Sequence, residues 1–185
     1  MIRFDKVGEI LAKLKERLDF VIIGDTVVDL SLGRKGTESD VDLFVNDGLL
    51  IEEENLISLC NDNGWEMGRT PIDTPRIIAN IGEQQLQIDL YENLQDFFVP
   101  RVVLDSAVPM KFGNVELPVV RLEDYVLLKL NAFREEDEEE LKVLINYVGQ
   151  GRLKLDRTYL ASHMELFEEN SRSIKERLAT LGIKT

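Results

Sequence analysis

The stretch Asp40 to Val45, DVDLFV, constrains this chain more than any other. Asp40 and Asp42 alternate with Val41 and Leu43, the period of two that marks a strand with one buried face. Side chains two apart on a strand share a face, so the two carboxylates stand side by side while Val41 and Leu43 turn inward. A strand of this kind builds a site for a hard cation, because Mg²⁺ takes oxygen ligands and leans on one or two carboxylates plus phosphates.

The residues leading into that strand are as informative. Phe20-Val21-Ile22-Ile23 is a short apolar run of the β-branched kind expected of a buried strand. Gly24 ends the run, and Asp25 stands at the N-cap of a helical pattern over Thr26–Leu32, where its carboxylate is expected to accept backbone N–H bonds. Gly33-Arg34-Lys35-Gly36 then breaks the helix.

Strand, glycine turn, short helix, basic loop and Ser39-Asp40-Val41-Asp42 on a strand together resemble the nucleotidyltransferases related to DNA polymerase β. The resemblance implies that the Gly24-Asp25 turn contacts the phosphates of a nucleoside triphosphate. It also implies that Asp40 and Asp42 hold Mg²⁺, two ions being possible, and that Ser39, Arg34 and Lys35 add contacts to the nucleotide. Asp25 departs from the family pattern, which has a small phosphate-contacting residue there. A third carboxylate is expected on a neighbouring strand in an Ile-Asp-Leu setting, and Ile88-Asp89-Leu90 matches it, which implies that Asp89 completes the metal site with Asp40 and Asp42 and assists deprotonation of the acceptor hydroxyl. Asp124, Lys129, Leu130 and Arg134 resemble the helix after the catalytic sheet in minimal and abortive-infection-type nucleotidyltransferases, which implies a nucleotide contact for Lys129. The likeness ends near residue 150.

The remainder reads as an α/β (α+β) chain: a short mixed sheet flanked by helices, with a core over 1–120 and a helical part over 121–185. Val7, Ile10, Leu11, Leu14 and Leu18 recur at helical spacing over residues 4–17. Asn46-Asp47-Gly48 is a turn, and Leu56, Leu59 and Cys60 mark the buried face of a helix over 50–62. Strands follow at Trp65–Arg69, Arg76–Ala79 and Gln84–Leu90, the last two joined at Asn80-Ile81-Gly82-Glu83. A short helix at Leu94–Val99 and strands at Val102–Leu104 and Val115–Val119 are expected in a proline-interrupted region. Four helical patterns close the chain, with Arg134–Glu140 read as a solvated helix start. His163 is the only histidine, so a His-based metal site is excluded, and it is expected at the surface or boundary of the tail helices.

Composition narrows the partners. A net charge of −13 argues against broad binding to nucleic acid or anionic membrane. One cysteine, Cys60, forms no internal disulfide, and no apolar run reaches membrane-spanning length, so a cytoplasmic protein is expected. Two functions follow. One is Mg²⁺-dependent transfer of a nucleoside monophosphate from an NTP to an acceptor hydroxyl, on an RNA end, a protein or a small molecule. The other is an inactive nucleotidyltransferase fold kept as a binding or regulatory module, such as a toxin–antitoxin component, which the acidic Asp25 favours.

Overall fold

Phe20, Val21 and Ile22 form a strand in which every side chain is buried, as an unbroken apolar run requires of a strand covered on both faces. The computed structural model that shows this describes residues 1–38, 40–46, 48–94 and 97–183, without the side chains of residues 49–53. It comprises two compact units: Met1–Asn93 with Ala107–Val119, and Leu94–Ser106 with Val120–Thr185. The fold is α+β, a mixed sheet flanked by helices with a helical C-terminal part. No helix among the described residues is long and apolar enough to cross a membrane.

The first unit runs β1 (Ile2–Arg3), α1 (Phe4–Lys15), β2 (Phe20–Ile22), α2 (Thr26–Ser31), β3 (Gly36–Thr37), β4 (Val41–Val45), α3 (Leu49–Asn63), β5 (Glu66–Arg69), β6 (Pro75–Ile81), β7 (Gln84–Tyr91), β8 (Val108–Phe112) and β9 (Val115–Val119). Seven strands form one sheet in the order β5-β6-β7-β4-β2-β9-β8. The pairs β4–β7 and β2–β9 are parallel and the others antiparallel. The two shortest strands, β1 and β3, pair separately. Val41 and Leu43 are fully buried, as their alternation with the aspartates predicts. Cys60 is buried, and burial pushes its thiol up, which suits a core residue.

The second unit contains α4 (Arg101–Asp105), α5 (Leu122–Ala132), α6 (Glu135–Gly149), α7 (Arg157–Met164), a 3-10 segment (Glu165–Asn170) and α8 (Ser171–Thr180). Val102, Val103 and Leu104 lie in α4, not in the expected strand. Three apolar residues do not separate the two periods, whereas Pro100 at the N-cap fixes a φ of −58° from which a helix starts readily. The helix expected over Leu94–Val99 falls partly on residues outside the description; Leu94 and Phe97 instead form an isolated antiparallel bridge. Pro109 is accommodated in β8 because that strand is the edge of the sheet.

Buried acids organise the helical unit. Asp124 is 0% exposed; its Oδ2 accepts from the Tyr159 hydroxyl at 2.7 Å, and its Oδ1 lies 2.8 Å from His163 Nδ1. Burial pushes the Asp124 carboxyl up, while Tyr159 and His163 oppose that shift. Asp137, expected within a solvated run, is 1% exposed. Its Oδ2 caps α6 by accepting from the Arg134 N–H at 2.9 Å, and its Oδ1 lies 3.1 Å from Lys129 Nζ.

Helix α1 meets the β8–β9 hairpin where Gly8 leaves no room for a side chain: a Cβ there would lie 2.4 Å from the Phe112 carbonyl oxygen. Alanine favours a helix over glycine by about 1 kcal/mol. The steric conflict outweighs that gain because the partner is backbone, and overpacking costs typically about 1–3 kcal/mol. Gly8→Ala should therefore lower the thermal midpoint, and a rise on calorimetric unfolding would contradict this packing.

Candidate active site

The parallel pairing of β4 with β7 sets Asp42 directly opposite Asp89. Both side chains stand on the same face, since Val41, Leu43, Ile88 and Leu90 take the other positions of the alternation. Two residues earlier along both strands, Gln87 Nε2 donates to Asp40 Oδ2 at 2.5 Å. Asp40 and the Asp42–Asp89 rung are thus separated by the Val41–Ile88 rung. Gly24 completes the arrangement. Its φ is +63°, and a Cβ on it would lie 1.9 Å from Asp42 Oδ2, so the turn after β2 rests its backbone directly on that carboxylate.

Carboxylates this close repel one another, and two residues that the sequence reading passed over offset the repulsion. Arg76, opposite Asp89 on β6, donates from Nε to Oδ1 at 2.6 Å and from Nη2 to Oδ2 at 2.7 Å. The Asp89 bond pushes the guanidinium further up its already basic range. Tyr91 places its hydroxyl 3.4 Å from Asp89 Oδ2. Burial, followed by the Asp42 and Asp89 charges, pushes the Tyr91 phenol well up, so it stays a donor. Burial and the Asp89 and Asp25 charges together push Asp40 up, against the opposing pull of Arg76 and Gln87. The period-two pattern of β6 held the signal for Arg76, but register across a hairpin is not written in one strand.

Asp25 does not cap α2 through its side chain. Its backbone is already helical, with φ −68° and ψ −22°, and its side chain makes no cap hydrogen bond. An N-cap side chain needs an extended backbone to reach the N2 or N3 amide, and the left-handed Gly24 removes that geometry. The Asp25 charge instead acts on Asp40. The next residue, Thr26, is fully buried, and its hydroxyl has no hydrogen-bond partner among the described residues.

Four further residues are expected to contact the nucleotide. Ser39 lies outside the described residues. Arg34 bonds the buried Asp29, and with Lys35 it lines a concavity that contains none of the three aspartates. Lys129 belongs to the helical unit, where Glu140 and Asp137 neutralise its ammonium at 2.5 and 3.1 Å. The two carboxylates explain a lysine on a buried helix face.

Asp40 and Asp42 offer oxygen donors alone, the chemistry that a hard divalent cation takes. Among the described residues no group of three or more acidic, histidine or cysteine side chains is arranged to hold a metal. Both oxygens of Asp89 accept from Arg76.

Gly24 gives a direct test of the turn. A left-handed backbone costs a non-glycine residue about 1–2 kcal/mol, and the clash with Asp42 adds to it. Gly24→Ala should destabilise the protein, and less so in an Asp42→Ala background, where the clash is gone. Equal losses in the two backgrounds, measured by denaturant unfolding, would refute the contact.

Residues 3–180 match the family described as nucleotidyl transferase of unknown function (DUF2204). Comparison with curated proteins gives no match. Similar solved structures include the antibiotic-resistance factor ANT(2'')-Ia, at 14% identity and a TM-score of 0.46, covering 97% of this chain and 90% of that one. A Helicobacter pylori protein described as a candidate nucleotidyltransferase is 14% identical with a TM-score of 0.48, covering 96% and 80%. JHP933 from Helicobacter pylori gives 14% and 0.46, covering 95% and 79%. With its match running over residues 3–180, the chain belongs to this family of nucleotidyl transferases.

Proposed function

We propose that this protein transfers a nucleoside monophosphate from an NTP to an acceptor hydroxyl, with Mg²⁺ held by Asp40 and Asp42. The observation that carries the proposal is the Asp42–Asp89 rung with the backbone of Gly24 laid against Asp42. Bound there, magnesium supplies charge neutralisation on the triphosphate and lowers the cost of forming the acceptor alkoxide. The left-handed Gly24 turn, which carries no side chain, lets the main chain approach a phosphate. The acceptor oxygen bonds to the α-phosphorus, the bond to the bridging oxygen breaks, and pyrophosphate leaves. The hydroxyl proton passes to Asp89, which takes it on an oxygen that Arg76 gives up. Arg76 is then a positioning residue that orients the Asp89 carboxylate until the acceptor arrives.

The bidentate Arg76–Asp89 pair and the nearby charge of Asp25 favour a second reading, a binding or regulatory module that has kept the fold without transfer. Calorimetry with each NTP, with and without Mg²⁺, separates the two. Transfer requires Mg²⁺-dependent NTP binding that Asp42→Asn abolishes; binding that ignores both Mg²⁺ and Asp42→Asn supports the module.

The raised carboxyl of Asp40 gives this site a pH signature. Mg²⁺ needs the ionised form, so NTP affinity should begin to fall at a pH above the ordinary aspartate range of about 3.9. The effect on stability has the opposite sign. A carboxyl whose folded pKa is raised stabilises the fold below its unfolded pKa and loses that contribution as pH rises through the folded value. Asp40→Asn should therefore hold or raise the thermal midpoint at neutral pH while removing the Mg²⁺ dependence. A lowered midpoint with Mg²⁺ dependence intact would count against both assignments.

A further inference from the structure

On the sheet unit, a cavity of about 470 Å³ has Arg3, Arg34, Lys35 and Lys111 among its lining residues, with Asp5 the one carboxylate. The four cations come from three separate stretches of chain, and two glycines bring them together. A Cβ on Gly36 would lie 2.2 Å from the Ile2 carbonyl oxygen, and one on Gly113 would lie 2.8 Å from Asp5 Cβ. The Phe4 amide also donates to the Lys35 carbonyl at 2.9 Å. The concavity is therefore fixed by backbone contacts, not by chance proximity of long side chains.

Its charge is unbalanced. Arg3 takes both oxygens of Asp5, at 3.1 and 2.8 Å, and Arg34 pairs with Asp29. Lys35 and Lys111 are exposed and make no ion pair among the described residues. With Arg3 and Arg34 each paired to a carboxylate, Lys35 and Lys111 leave an excess of positive charge, on a chain of net charge −13. An anion balances that excess.

The position separates this cavity from the aspartates. Ile22 pairs with Val119, which puts the Gly24 turn at that end of β9, whereas Lys111 and Gly113 flank the hairpin turn at the Val115 end. Four residues of strand separate the ends by ~13 Å. Arg34 and Lys35, expected on the reacting nucleotide, line this concavity.

We infer that this concavity is a second anion site, taking a small molecule that bears phosphate groups. Its volume lies within the usual range for small-ligand pockets, about 300–1,000 Å³. A nucleic-acid strand is disfavoured because the net charge repels a long polyanion at a distance, while a compact one meets only the local field. The inference does not depend on the transfer reaction, and it would stand if the aspartates proved inactive.

Titration calorimetry with inorganic pyrophosphate, in Mg²⁺-free buffer with chelator, tests it. Saturable one-to-one binding is expected, weakening with added salt. Lys35→Glu with Lys111→Glu should reduce affinity by about tenfold or more, and Asp42→Asn should leave it unchanged. Both lysines are exposed, and the Lys→Gln pair serves should charge reversal impair folding. No saturable binding, binding indifferent to the lysine changes, or binding lost with Asp42→Asn would each overturn the site.

Discussion

Two aspartates from distant parts of the sequence meet side by side because β4 and β7 run parallel in a single register. Everything else at the sheet face answers that meeting. Arg76 neutralises Asp89 from the next strand, Tyr91 adds a hydroxyl, Gln87 steadies Asp40, and Gly24 makes room for Asp42. A slip of one residue in the β4–β7 pairing would send Asp42 and Asp89 to opposite faces and bury neither Val41 nor Ile88 correctly. The buried valine and isoleucine therefore hold the site in register as firmly as they hold the core.

Strand β4 was legible because a period of two admits one interpretation when valine, leucine and aspartate alternate. Asp89 was legible for the same reason, on a second alternating strand. What lay beyond the sequence depends on pairing between strands and between helices. Arg76 becomes meaningful only when hairpin register sets it opposite Asp89. The role of Asp25 turned on its own backbone: at φ −68° and ψ −22° it is helical, and its side chain makes no cap hydrogen bond among the described residues. Propensity alone does not reveal that φ. Likewise the Arg34-Lys35 pair, read as part of the nucleotide loop, is drawn toward Arg3 by the β1–β3 pairing of two-residue strands, too short to carry a period.

The helical unit shows the same economy with buried charge. Asp124 and Asp137 are both nearly inaccessible, and each is met by cationic or hydroxyl partners from a different helix. Removing one partner of such a group strands the other without solvent, a loss of about 3–5 kcal/mol in comparable cases. Lys129 is held there for that reason, and its half-buried stem is explained by its acids. His163 sits at a boundary, as its place on a tail helix suggests, with the imidazole turned to Asp124.

The central claim is that Asp40 and Asp42 hold the cation that brings a triphosphate to Gly24, while Arg76 keeps Asp89 in reserve. A crystal structure with Mg²⁺ and a non-hydrolysable NTP tests it most directly. The account predicts metal bound by Asp40 and Asp42 oxygens at about 2.0–2.1 Å, with phosphate against the Gly24 turn and at least one Arg76–Asp89 bond broken. A nucleotide seated away from Gly24, or bound with no metal on either aspartate, would contradict it.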